Sequence, residues 1–119
     1  TVAVGMGPAA IAVNPVTNLI YVVNNFSGSV TVIDGTSNAT NTFNIGFNPR
    51  GIAINFVTNM IYVSIQGESV VKVINGVDNS VASITTGSQP VALAVNSVTN
   101  KIYVANQSSN NVTVINGVD

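Results

Sequence analysis

The chain has 119 residues and a mass of 12.2 kDa, with 46% hydrophobic residues, 6% charged residues and a formal net charge of −1. Its hydrophobic content argues against disorder, while its charge lies far below the roughly 25% of ordinary soluble domains, Asn, Ser and Thr supplying the polarity instead. Three scattered cations, Arg50, Lys72 and Lys101, leave no footprint for nucleic acid or anionic lipid, and no apolar run approaches the roughly 20 residues that span a bilayer.

The absence of Cys and His excludes a disulfide framework, imidazole or thiolate metal ligands, and Ser–His or Cys–His nucleophiles. Only four carboxylates, Asp34, Glu68, Asp78 and Asp119, titrate in acid. Little charge imbalance then accumulates as pH falls, which suits a cell exterior, against the alternative of neutral drift in a secreted protein. A chain opening at Thr1 is expected of a processed mature protein or of an excerpt from a longer one.

Taken in order, residues 1–4 (TVAV) alternate and stop at Gly5, reading as a short strand with counterparts at 42–45 (TFNI) and 83–86 (SITT). Pro8, Pro49 and Pro90 follow in the connections, where a missing N–H does no harm. Short apolar runs come next at 10–13 (AIAV), 51–54 (GIAI) and 92–95 (ALAV), suiting strands buried on both faces. The loops NPVTN, NFVTN and NSVTN at 14–18, 55–59 and 96–100 have Asn at both ends, a residue that tolerates left-handed backbone and bonds its own main chain. Strands centred on Tyr21, Tyr62 and Tyr103 follow. After a polar loop come VTVI, VKVI and VTVI at 30–33, 71–74 and 112–115. Each ends in Asp-Gly or Asn-Gly (Asp34-Gly35, Asn75-Gly76, Asn116-Gly117), read as hairpins whose two residues accept positive φ.

The layout recurs at a constant offset of about 41 residues without a gap. Between 8–35 and 90–117, roughly two-thirds of the positions are identical. No segment carries a helical period. Four short antiparallel strands per period define a β-propeller blade, covered on both faces by its neighbours. The fold class is therefore all-β, one module of three four-stranded blades at about 6–45, 47–86 and 88–119, with residues 1–4 as an exchanged or closing strand. The three tyrosines, at equivalent mid-strand sites, are read as packing between blades rather than as a binding stripe.

The pattern P-x-x-[IL]-A-[VI]-N-x-V-T-N-x-I-Y-V, followed by V-x-V-I-[DN]-G, resembles the YVTN family of β-propeller repeats across essentially the whole chain. Tyr21-Val22-Val23-Asn24 and Tyr103-Val104-Ala105-Asn106 match the eponymous tetrapeptide closely, whereas Tyr62-Val63-Ser64-Ile65 loses its Asn. The resemblance implies an archaeal or bacterial surface-layer or other extracytoplasmic protein, with these shared residues structural rather than catalytic. It also admits a fragment of a seven-bladed propeller or, least favoured, of a lactonase- or dehydrogenase-type enzyme.

Three blades fall below the minimum of about four that closes a ring. After Gly117 no fourth strand remains for the last blade, while 1–4 begins the chain as a fourth strand without a blade. The expectation is that Thr1, Val2, Ala3 and Val4 pair with Val112, Val114 and Ile115 of another copy by strand addition. The partners expected are thus further copies, giving a ring or filament, or the rest of a longer propeller. Nucleic acid and direct membrane insertion are not expected.

Catalytic residues, metal ligands and cofactors are expected to be none. Asp34 shares its turn position with Asn75 and Asn116, and Asp78 repeats as Asp119 in a polar edge loop. Glu68 falls in a variable loop and is read as solvated. Arg50 replaces Ala9 and Val91 beside an inner strand, near a central channel. Four N-x-[ST] triplets, at Asn25, Asn38, Asn106 and Asn111, are candidate glycosylation sites on the outer rim, against the alternative that an Asn-, Ser- and Thr-rich chain makes such triplets by composition. The function these readings favour is a non-enzymatic extracellular module of a coat, filament or adhesion scaffold. The alternative is a platform that binds a ligand or protein.

Overall fold

The computed structural model describes residues 1–117. Strands β1 (Pro8–Asn14), β2 (Leu19–Asn24), β3 (Ser29–Asp34) and β4 (Thr40–Asn44) form one antiparallel meander. A second contains β5 (Pro49–Asn55), β6 (Met60–Ile65), β7 (Val70–Asn75) and β8 (Val81–Thr85), with a turn of 3₁₀ helix at Gln66–Glu68. The third has three strands, β9 (Pro90–Asn96), β10 (Lys101–Asn106) and β11 (Asn111–Asn116). These are propeller blades, stacked so that β1, β5 and β9 lie beside one another as the inner strands.

The strands form because β-branched residues and Tyr fit a pleated surface. They need no polar face where blades cover them on both sides: in the middle blade Ile61, Tyr62 and Val63 are consecutive and all buried, Ile61 and Val63 against the first blade and Tyr62 against the third. Between β1 and β2, Asn14 Oδ1 accepts from the N–H groups of Val16 and Thr17, and Asn18 closes the turn at φ 58°. Asn55 and Asn59 repeat this arrangement, as do Asn96 and Asn100. Pro8, Pro49 and Pro90, expected in the connections, instead each occupy the first residue of an inner strand.

The hairpin expectation is also corrected. The left-handed residues of the hairpin after β3 and β7 are Asn38 (φ 63°) and Asn79 (φ 60°), not the Asp-Gly and Asn-Gly pairs. The turn is longer than two residues: Asp34 N–H donates to Ala39 O, Asn38 N–H donates to Asp34 O, and Asp34 Oδ1 accepts from Thr36 and Ser37. Residues 1–4 make no ladder within the chain. Thr1, Val2 and Ala3 are exposed, and the sheet that has three strands among the described residues is two blades away.

Candidate assembly interface

Each joint between blades has an apolar centre. At the first, Tyr21, Val23, Val30 and Val32 pack against Ile61, Val63 and Ile74, with Ile52 and Ile54 beside them. At the second, Tyr62, Val71 and Val73 pack against Ile102, Val104 and Ile115, with Leu93 and Val95 beside them. The repeat thus gives every blade a trailing face headed by Tyr and a leading face of Ile, Leu and Val. Burial pushes the Tyr21 phenol above its ordinary value, and its hydroxyl is buried without a hydrogen-bond partner.

A polar seam runs along the same joints. Asn14 Nδ2 donates to Asn59 Oδ1 at 3.1 Å, and Asn55 Nδ2 donates to Asn100 Oδ1 at 2.9 Å, both spanning 45 residues. Sequence reasoning took these asparagines for turn residues and missed the relay. The available signal was the retention of Asn at both ends of the loop while the residue between changes from Pro15 to Phe56 to Ser97.

The same two faces lie open at the ends. Tyr103 is 41% exposed, whereas Tyr21 and Tyr62 are 0% exposed; Val112 and Val114 beside it are 57% and 55% exposed. At the opposite end Ile11 and Val13 are 66% and 55% exposed, although their equivalents Ile52 and Ile54 are packed in the first joint. Covering such a side chain contributes roughly 1.5–3 kcal/mol. Large exposed apolar patches of this kind mark interaction surfaces.

The residues singled out from sequence divide clearly. Asn38 and Asn111 are exposed, while Asn25 Nδ2 donates to Asn48 Oδ1 and Pro49 O, and Asn106 is buried with Nδ2 donating to Asn111 Oδ1 and Thr113 Oγ1. Glu68 is not simply solvated: Oε2 accepts the Phe47 N–H at 2.6 Å, as Ser27 Oγ does for Met6 and Ser109 Oγ for Ser88. Asp78 accepts from Ser80, which holds its carboxyl below the usual carboxylate range. Arg50 donates to Gln66 Oε1. Asp119 lies outside the described residues. Among the described residues, no three His, Cys, Asp or Glu side chains gather as metal ligands.

A depression of about 730 Å³ lies at the rim of the first joint and is lined by Asn25, Phe26, Asn44, Phe47 and Asn48. Phe26 and Phe47 are 81% and 73% exposed. The repeat does not require them, since the third blade has Ser108 and Ser88 at these positions.

No protein-family model and no curated protein matches this chain. Solved structures of β-propeller type do. Hydrazine synthase from Kuenenia stuttgartiensis superposes with a TM-score of 0.86 at 19% identity, over 98% of this chain and 34% of that one. A putative 6-phosphogluconolactonase from Bacteroides fragilis gives 0.79 at 16% identity, over 96% and 36%. A chain of a nidogen/laminin complex gives 0.73 at 16% identity, over 90% and 42%. The chain thus spans about a third to two-fifths of the length of these propellers, and at such identities the likeness concerns the fold alone.

Proposed function

We propose that this chain is a non-catalytic structural segment of β-propeller that joins further blades at both ends, and that it serves outside the cell in a coat, filament or adhesion scaffold of the YVTN type. The observation that carries this reading is the exposure of Tyr103 at one end and of Ile11 and Val13 at the other, where the equivalent interior residues are packed. Partial coverage of longer propellers is consistent with the same need for neighbours. The non-catalytic part is supported by how the carboxylates are spent: Asp34, Glu68 and Asp78 all accept backbone N–H groups in turns.

The internal ladders supply a register for the proposed strand exchange. In the first blade Ser29, Val30 and Thr31 face Asn44, Phe43 and Thr42; in the second, Val70, Val71 and Lys72 face Thr85, Ile84 and Ser83. Carried to β11, this sets Asn111, Val112 and Thr113 opposite Ala3, Val2 and Thr1 of an incoming copy. Val114 and Ile115 then fall beyond Thr1, which shortens the pairing expected from sequence. Residues 5–7 are already docked as their interior counterparts are, with Met6 O accepting from Phe26 and Ser27. Electron microscopy of the purified chain tests the reading: rings or filaments support it, and single wedge-like particles overturn it. Glycosylation, proposed at Asn38 and Asn111, is checked by peptide mass spectrometry of the native protein; bare peptides remove it.

A second reading, a ligand-binding platform, is favoured by the depression flanked by Phe26 and Phe47. Exposed aromatic rings beside amide groups suit a ligand with an apolar face and hydroxyl edges, and glycan-array binding lost in Phe26→Ala would support it.

A further inference from the structure

We infer that copies of this chain join head to tail through a directional asparagine clasp, Asn96 Nδ2 of one copy donating to Asn18 Oδ1 of the next. The inference rests on the self-association reading above and adds its polarity and register. At each internal joint one Asn amide crosses to the Asn that closes the following blade's first turn. The next donor in the series is Asn96, and the acceptor that no preceding blade engages is Asn18. Among the described residues neither Asn96 Nδ2 nor Asn18 Oδ1 has a partner, and both residues are exposed.

Both halves are already set as the internal pairs are. Asn96 Oδ1 accepts from Val98 and Thr99, just as Asn14 and Asn55 Oδ1 accept from their own loops, leaving Nδ2 directed across the joint. Asn18 has φ 58°, beside 59° for Asn59 and 56° for Asn100, and its carbonyl accepts from Gly35 as theirs do from Gly76 and Gly117. The apolar residues fall into the same registration: Tyr103 and Val112 of one copy meet Ile11 and Ile20 of the next. A face-to-face pair of trailing ends would set donor against donor at Asn96. The clasp therefore selects a heterologous joint, which closes into a ring or extends as a filament.

Isosteric substitutions separate the two halves. Asn96→Asp keeps the Oδ1 bonds to Val98 and Thr99 but sets a carboxylate against an acceptor. Asn18→Asp keeps the acceptor and loses only the 3.3 Å bond from Nδ2 to Thr36 Oγ1. Sedimentation equilibrium of the two full-length variants, with circular dichroism to confirm the fold, is expected to show association weakened about tenfold or more in Asn96→Asp and retained or tightened in Asn18→Asp. A wild-type chain that associates while both variants behave alike overturns the clasp and leaves self-association standing. A wild-type chain that stays monomeric overturns both.

Discussion

Gly76 and Asn59 meet so closely that no side chain fits between them. The Gly76 N–H donates to Asn59 O at 2.9 Å, and a Cβ on Gly76 would fall inside the Asn59 amide. Because Asn59 Oδ1 also receives the Asn14 amide, the glycine controls a joint between blades from within one blade. Its role is close approach rather than positive φ. Gly76→Ala is expected to lower stability by about 1–3 kcal/mol through overpacking, read from the urea midpoint. Gly35→Ala presses on Asn18, which is exposed and receives no amide in the isolated chain, so its shift is expected to be smaller.

Tyr21 carries a buried hydroxyl without a partner. Tyr21→Phe removes that desolvated group and is expected to be neutral or to stabilise by about 1 kcal/mol. The pH dependence has a definite sign. A phenol whose folded-state pKa is raised contributes stability that is complete below its unfolded value, about 10, and is lost as pH rises through the folded value. Thermal melts between pH 9 and pH 11 (values about the ordinary phenol range) are expected to fall less steeply in Tyr21→Phe than in the wild type.

The outer blades and the middle blade solve one position differently. Asn24 Nδ2 donates to Ser29 Oγ and Thr31 Oγ1, and Asn106 Nδ2 donates to Asn111 Oδ1 and Thr113 Oγ1. The middle blade has Ile65, Val70 and Lys72 instead, with Ile65 fully buried. The set changes together, so Asn24→Ile alone is expected to cost about 1–2 kcal/mol. Ser29→Val added to it should recover part of that, giving a coupling of about 0.5 kcal/mol or more in a double-mutant cycle; strictly additive effects would contradict the argument.

The strands were legible in the sequence because the Tyr-Val and VTVI runs recur at one period, and a buried blade leaves no other use for them. The turn after β3 was misread because Asp34-Gly35 resembles a two-residue hairpin, while the αL residue is Asn38, four positions on. A close approach such as Gly76 on Asn59 depends on two segments far apart in sequence, so no local pattern reports it. The candidate site was half legible. That residues 1–4 have no partner strand within the chain follows from counting, but the register proposed for them against Asn111, Val112 and Thr113 needed the ladders of β3 and β7. The asparagine relay needed the distances.

Residues 1–4 contribute no ladder within the chain. Their deletion is expected to leave the unfolding temperature of the dilute chain within about 2 °C of wild type, a shift that corresponds to well under 1 kcal/mol. Assembly should weaken, because β11 loses its incoming neighbour. Loss of monomer stability with unchanged assembly would place these residues elsewhere in the structure.

Molar mass measured by light scattering across a dilution series tests most directly whether the two end faces are halves of one joint. The account predicts a mass that rises with concentration from 12.2 kDa to whole multiples of it. A single species of 12.2 kDa at every concentration, with Tyr103 still exposed, would contradict it.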